Sequence, residues 1–378
     1  MVKNIVESEK RPLSYKETIQ THLFTSLKLR DLSLRHRIVV SPMCQYSCDQ
    51  LDGMAHDWHL VHLGAMATGK AALVFTEAAA VEARGRISPA DLGIWNDQQI
   101  EPLARINRFI TSQGSIPGIQ LAHAGRKAST NAPWNGGKYV QEGGWEVVAP
   151  SAVPFADGYG MPHELRIEEI QEVSNAFARS AQRSLDAGYQ VIELHAAHGY
   201  LMHQFLSPYS NKRTDAYGGS FENRIRFVLE TVRAVRKVWP ERLPLFIRVS
   251  ATDWLEDQPE IASWDSDQTV ELARILRDEG VDMMDCSSGG NVASAKIPLG
   301  PGYQVPFAAR VRNEAGMPTA AVGMITNAQQ ADQIIRTGQA DLVLLAREEL
   351  RDPHFPLRAA HELGQEIEWP IQYTRAAW

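Results

Sequence analysis

IEEIQEVSNAFARSAQRSLDAGYQVIELHAAHGY, residues 167–200, holds one complete joint of this chain. Ile167, Ile170, Val173, Phe177 and Leu185 recur at near-helical spacing and predict an amphipathic helix. Gly188 follows, a residue that ends helices in the left-handed conformation without a Cβ penalty. Val191–His195 is then short and apolar on both faces, as a strand of a parallel sheet buried on both sides must be. Two histidines close the stretch, just where that strand runs out.

The same unit repeats in both directions. Seven further strand-length runs are Arg37–Met43, Ala72–Ala78, Pro117–Leu121, Leu245–Val249, Val281–Cys286, Thr319–Val322 and Asp341–Ala346. Gly69, Gly114, Gly280, Gly316 and Gly338 stand before strands as Gly188 does. The joint WPERLPLF uses Pro240 and Pro244 as breakers instead. Eight βα units without a compositional break predict an α/β fold, a (β/α)8 TIM barrel spanning 1–378 as a single domain. A doubly wound open sheet is the alternative. Residues 1–22 read as an N-terminal extension and 370–378 as a C-terminal tail. Residues 129–165, rich in Gly, Pro and Trp, read as a loop insertion after the third strand, and Trp254–Ser266 as a shorter one after the fifth. Both fall at the C-terminal ends of strands, the working face of a barrel.

Composition narrows the partners. Hydrophobic residues make up 44% of 378, enough for a large core, and the net charge is −7. An acidic chain is a poor match to nucleic acid or an anionic membrane. No run reaches the ~18 apolar residues of a spanning helix. The charged start MVKNIVESEKRPLSYKETIQ lacks the apolar segment of a secretory signal. Cys44, Cys48 and Cys286 are too few for a disulfide framework, which points to a reducing cytoplasm.

Polar residues stand where the strands end. Cys44 lies in SPMCQYS, Gln120 and His123 in GIQLAHAGR, His195 and His198 in IELHAAHGY, Arg248 in LFIRVS. Singly, each has a plain explanation: a core cysteine is usually a small hydrophobe, and a strand-end arginine is often a structural ion pair. Six on one face point to chemistry. His195 and His198 could bind a metal with His59, His62 or His123, as in a metal-dependent barrel lyase or hydrolase. They could equally aim two N–H donors at one oxygen and stabilise charge developing there. Tyr200 carries a phenol able to deliver a proton. Arg248 is a fixed cation suited to the electron-rich side of a reduced cofactor. AVGMIT and LLAREELRDP, after strands seven and eight, stand where barrels build phosphate sites, with Gly323 allowing close backbone approach and Arg347 a bidentate partner. No GxGxxG opens a βαβ unit.

SPMCQYS, DLGIW, QLAHAGRKA, IELHAAHGYLMHQFLSPYSNKRTDAYGGSFENR, IRVSA, DCSSGG, AVGMIT and RDP, in this order from about Leu23 to the C-terminus, resemble the old yellow enzyme family, in its cysteine-containing bacterial and thermophilic-like class. The resemblance implies non-covalent FMN with NADPH or NADH as donor. It implies ene-reductase activity: ping-pong hydride transfer to the C=C bond of an enone, quinone or similar electron-poor substrate. A flavoprotein acting as a redox sensor with little turnover is the rival within this reading. Ser41, Pro42, Met43 and Cys44 would line the flavin rings, Ala78 and Gln120 the pyrimidine side, and Arg248 the N1/O2 region. Ser288, Gly323, Met324, Ala346 and Arg347 would hold ribityl and phosphate. Ala346 replaces the family's usual glycine. His195 and His198 would grip the substrate carbonyl, with Tyr46 and Tyr200 beside it. Cys44 would tune the cofactor without forming a covalent intermediate. Arg375 would reach a neighbouring subunit's site in a homodimer or a tetramer of dimers.

Overall fold

A computed structural model describes residues 22–378. The expected extension over 1–22 therefore lies, but for His22, outside the described residues. Eight parallel strands close on themselves. They are β1 (Ile38–Val40), β2 (Leu73–Ala80), β3 (Ile116–Ala122), β4 (Val191–Ala196), β5 (Leu245–Ser250), β6 (Met283–Ser287), β7 (Thr319–Val322) and β8 (Leu342–Leu345). β8 pairs with β1, Leu344 beside Val39, which shuts the barrel. The open-sheet alternative is thereby excluded, and each expected apolar run contributes one strand.

Strand parity divides the core in two. Ile192, Leu194, Ile247, Val249, Met284, Cys286, Val343 and Leu345 pack outward against the helices, with Ile170, Val173 and Phe177 of the helix Ile167–Asp186 among their partners. Val39, Leu73, Phe75, Val191, Phe246, Met283, Ala320, Leu342 and Leu344 point inward and fill the lower barrel. Leu29 and Leu34 join this inner cluster from an antiparallel pair, Leu27–Leu29 with Leu32–Leu34, that plugs the floor. The barrel is therefore packed from below and open to polar chemistry only above.

Two local expectations need correction. Ile167 is 39% exposed, because it is the first helical residue and overhangs the packed face. Gly69 has φ −69°, and Lys70 takes the left-handed turn at φ 71°. Glycine is needed at 69 for space: a Cβ there would sit 1.7 Å from the Pro353 carbonyl oxygen.

Candidate active site

On β3, β4, β5 and β6 the inward parity that fills the floor with apolar side chains continues upward as Gln120, Glu193, His195, Arg248, Asp285 and Ser287. On β2 the register shifts between Thr76 and Ala78, so Glu77 is an extra residue and Ala78 comes opposite Gln120. Such a bulge re-aims the side chains beyond it.

The lowest polar layer is charged. Arg248 Nε lies 2.6 Å from Asp285 Oδ2, and its Nη2 donates to Ser41 Oγ at 3.0 Å. Gln120 Nε2 donates to Glu193 Oε1 at 2.8 Å. Glu193 and Asp285 are both fully buried. Burial first, then the charge on Asp285, raises the Glu193 pKa, although Arg248 and Gln120 oppose the shift. Burial also raises Asp285 against the pull of Arg248. One guanidinium thus serves two carboxyls, and the layer retains a proton near neutrality.

Above it a cavity of about 350 Å³ opens, lined by Ser41, Pro42, His198, Arg248, Gly323, Met324, Ala346 and Arg347. Gly323 has φ 119°, and a Cβ on it would lie 2.8 Å from Gln304 Nε2. Met324 is left-handed too, at φ 51°. Arg347 opens a short helix, Arg347–Arg351, so two guanidiniums, Arg347 and Arg351, reach the same cavity. Ser288 turns elsewhere: its hydroxyl donates to Gln304 Oε1 at 2.7 Å, and Ser287, with inward parity, lines the cavity instead.

His195, His198 and Tyr200 gather at the rim. The His195 ring meets His198 edge-on at 5.1 Å and Tyr200 at 4.9 Å. Burial, followed by Arg248 and Lys127, holds the His195 pKa well below the ordinary value; burial, His195 and Arg248 do the same for His198. Both rings are neutral, and each carries one N–H. His195 Nδ1 accepts from the Ala197 amide at 3.3 Å, which puts its proton on Nε2. His198 Nε2 lies 2.7 Å from Ser287 Oγ, whereas that hydroxyl is 3.3 Å from Gln304 Oε1. We assign the hydroxyl proton to the shorter contact, which leaves His198 with Nδ1–H. Burial, with Cys44 and Tyr46 nearby, raises the Tyr200 pKa well above normal, so the phenol keeps its proton.

Cys44 is half-buried after β1. Burial, then the carboxyls of Asp91 and Glu77, pushes its thiol pKa up, so it is no thiolate nucleophile. Tyr46 is close enough to bond its sulfur and stacks edge-on against Trp134 of the 129–165 segment, centroids 5.6 Å apart. The other three histidines named as metal ligands turn away: His123 Nε2 to Glu82 Oε2 at 3.3 Å, His59 Nε2 to Glu77 Oε1 at 3.5 Å, and the His62 ring onto Trp58, centroids 6.4 Å apart. Among the described residues no group of three or more His, Cys, Asp or Glu is placed to hold a metal.

Arg375 is exposed, and the tail lies on the barrel's own last helix, Phe355–Glu362, where Trp378 stacks on His361 at 4.6 Å. Lys127 and Gln304 escaped the sequence reading. Lys127 Nζ donates to the His198 and Gly290 carbonyls at 2.8 and 2.9 Å, and burial lowers its pKa to about 8. The motif QLAHAGRKA ends on Lys127 and its neighbour, which was the available signal; nothing local marked Gln304.

The chain is similar in sequence and fold to known oxidoreductases. Residues 22–366 match the family described as NADH:flavin oxidoreductase / NADH oxidase. An NADPH dehydrogenase of Geobacillus sp. (strain WCH70) is 45% identical over 357 residues, covering 94% of this chain and 99% of the relative. An NADPH dehydrogenase of Bacillus subtilis (strain 168) is 46% identical over 353 residues, covering 93% and 98%. A structure of morphinone reductase in complex with tetrahydroNAD aligns with TM-score 0.74 and 28% identity, covering 92% of each chain.

Proposed function

This chain belongs to the NADH:flavin oxidoreductase / NADH oxidase family and is an FMN-dependent NAD(P)H oxidoreductase, and we propose that it reduces the activated C=C bond of small α,β-unsaturated carbonyl compounds by a ping-pong cycle. The observation that carries the reading is the neutral pair His195 and His198, with Nε2–H of one and Nδ1–H of the other available at one rim.

The residues present fit FMN. Gly323 makes a cradle that a Cβ would obstruct, and the two guanidiniums Arg347 and Arg351 suit a phosphate. Gly323, Met324, Ala346 and Arg347 would hold the phosphate end; Ser41, Pro42, Met43, Ala78, Gln120 and Arg248 would border the rings. Ser288 acts behind them through Gln304. When bound, FMN supplies the hydride-carrying centre between nicotinamide and substrate. The protein's own part is electrostatic and positional. His195 and His198 donate to the substrate oxygen and are held neutral, so they stabilise charge there without surrendering a proton. Tyr200 keeps its proton until the α-carbon needs one. The protonated Cys44 and Tyr46 border the site. We further propose one domain over the whole chain, residence in the cytoplasm, and a homodimer or tetramer of dimers in which Arg375 completes a neighbour's substrate pocket.

The test is His195→Ala in the FMN-loaded protein. Enone turnover should fall by about two to three powers of ten, and affinity for simple phenols, which mimic an enolate, should weaken while FMN content holds. Unchanged phenol affinity and turnover would refute the two-donor reading. A yellow wild-type protein that consumes NADPH but never faster with an enone would refute the substrate class.

A further inference from the structure

The turn that carries His198 and Tyr200 is held in an unfavourable shape. His198 has φ 59°, a left-handed value that a residue with a Cβ adopts only when its surroundings impose it. Three contacts impose it. The His198 amide donates to Ser250 Oγ at 2.9 Å, and its carbonyl accepts from Lys127 Nζ at 2.8 Å. The third is the Gly199 amide, which donates to Nδ1 of His203 at 3.0 Å. Gly199 lies hard against the next loop: a Cβ there would meet the Gly290 carbonyl oxygen at 2.2 Å, so no larger residue fits this turn.

His203 lies in the short helix Leu201–Leu206, wholly buried, and touches neither cavity nor rim. Its Nε2 lies 3.0 Å from Oδ1 of Asp253, which is also wholly buried. The other carboxylate oxygen of Asp253 accepts from Ser207 Oγ at 2.5 Å and from the Trp264 amide at 2.9 Å. Burial works to raise the Asp253 pKa, but donation from His203, Ser207 and the Trp264 amide outweighs it, and the group is an anion. An imidazole has one proton to place when neutral. With Asp253 at Nε2 the proton sits there, and Nδ1 offers its lone pair to Gly199. Were the proton on Nδ1, two N–H groups would face each other at 3.0 Å in a dry interior.

We propose that His203, its tautomer set by Asp253, is a positioning residue that fixes the turn bearing His198 and Tyr200. The inference rests on the function proposed above for those two residues, but not on the identity of the substrate. It makes the 254–266 segment part of the site at one remove, since the Trp264 amide orients the carboxylate that orients the ring.

Two substitutions separate this role from plain packing. His203→Asn puts a carboxamide oxygen near the place of Nδ1 and keeps the acceptor for Gly199 while losing Asp253. His203→Gln reaches toward Asp253 and leaves Gly199 unpartnered. In FMN-loaded protein, His203→Asn should keep phenol affinity within about threefold, whereas His203→Gln should lose about tenfold in phenol affinity and in enone kcat, the scale of one unmet buried donor. FMN content should match in both. Equal losses in the two variants, or none in either, would overturn the proposal. Should either variant fail to fold, nitrogen-15 spectra of histidine-labelled wild-type holoprotein decide the matter: His203 must be neutral with its proton on Nε2. A proton on Nδ1, or on both nitrogens, would overturn the proposal. A wild-type protein with that tautomer and with phenol binding, but without enone turnover, would refute the proposed reaction and leave this inference standing.

Discussion

Glu193→Gln isolates the charged layer beneath the cavity. The substitution is isosteric and keeps the oxygen that accepts from Gln120 at 2.8 Å, so packing changes little. What disappears is a proton-binding group. In the folded chain burial and the neighbouring Asp285 raise the Glu193 pKa, so it keeps its proton over a pH range in which the unfolded chain, near the ordinary value of about 4.3, has released it. Across that interval the folded state binds one proton more than the unfolded state. Stability therefore falls as pH rises, by up to about 1.4 kcal/mol per pH unit, and the loss is complete only above the folded pKa. Unfolding entropy near 2.1 cal/mol/K per residue gives about 0.8 kcal/mol/K for this chain, so the slope is worth about 2 °C in Tm per pH unit. The assay is thermal unfolding of wild type and Glu193→Gln at saturating FMN from pH 5.5 to 8.5. Titrating groups outside this layer cancel in the difference, so the variant's Tm relative to wild type should climb with pH. Parallel curves would show that Glu193 is already ionised at pH 5.5 and refute its retained proton.

Other expectations concern the cofactor, the thiol and the tail. Gly323→Val forces a Cβ toward Gln304 at a left-handed position, and FMN affinity should drop roughly ten- to a hundredfold by fluorescence titration; native affinity would remove Gly323 from the cofactor site. Cys44→Ala should shift the midpoint potential while turnover falls by less than the roughly hundredfold cost of losing a proton-transfer residue. Complete inactivity at full FMN content would instead mark Cys44 as a nucleophile. Deleting residues 372–378 should weaken self-association by ultracentrifugation and raise the enone KM while FMN stays bound; unchanged mass and kinetics would rule out a shared site at Arg375.

Much of the barrel was legible because its determinants are local. The period of the helix Ile167–Asp186, the apolar run Val191–His195 and the glycine between them lie within some thirty residues, and the same signals recur around the ring. Position at the strand ends, where a barrel carries its chemistry, was also legible, so His195 and Arg248 could be named. Gly69 shows where local reading ends. Sequence convention assigns it a left-handed helix end, whereas its φ is −69° and the approach of Pro353, far along the chain, is what demands a glycine there.

The site depends on contacts that no single segment contains. The bulge at Glu77 sets the register of Ala78 against Gln120, and Ser287 replaces Ser288 at the cavity because strand parity, not composition, chooses between adjacent serines. Glu193 and Asp285 look like ordinary residues of two apolar strands until the closed barrel brings both toward one guanidinium. His203 lies on a short helix after β4 and Asp253 in the loop after β5, and only the closed barrel leaves each as the other's buried partner. The sequence by itself determined the eightfold βα order and the identity of the groups at the strand ends, since helical periodicity, helix ends and short apolar strand runs are set over a few residues. Tertiary structure alone decided which of those groups share a proton, which ring nitrogen carries a hydrogen and which backbone turn is held under strain, because these are set by desolvation and by partners that only the closed ring of strands brings within 3 Å.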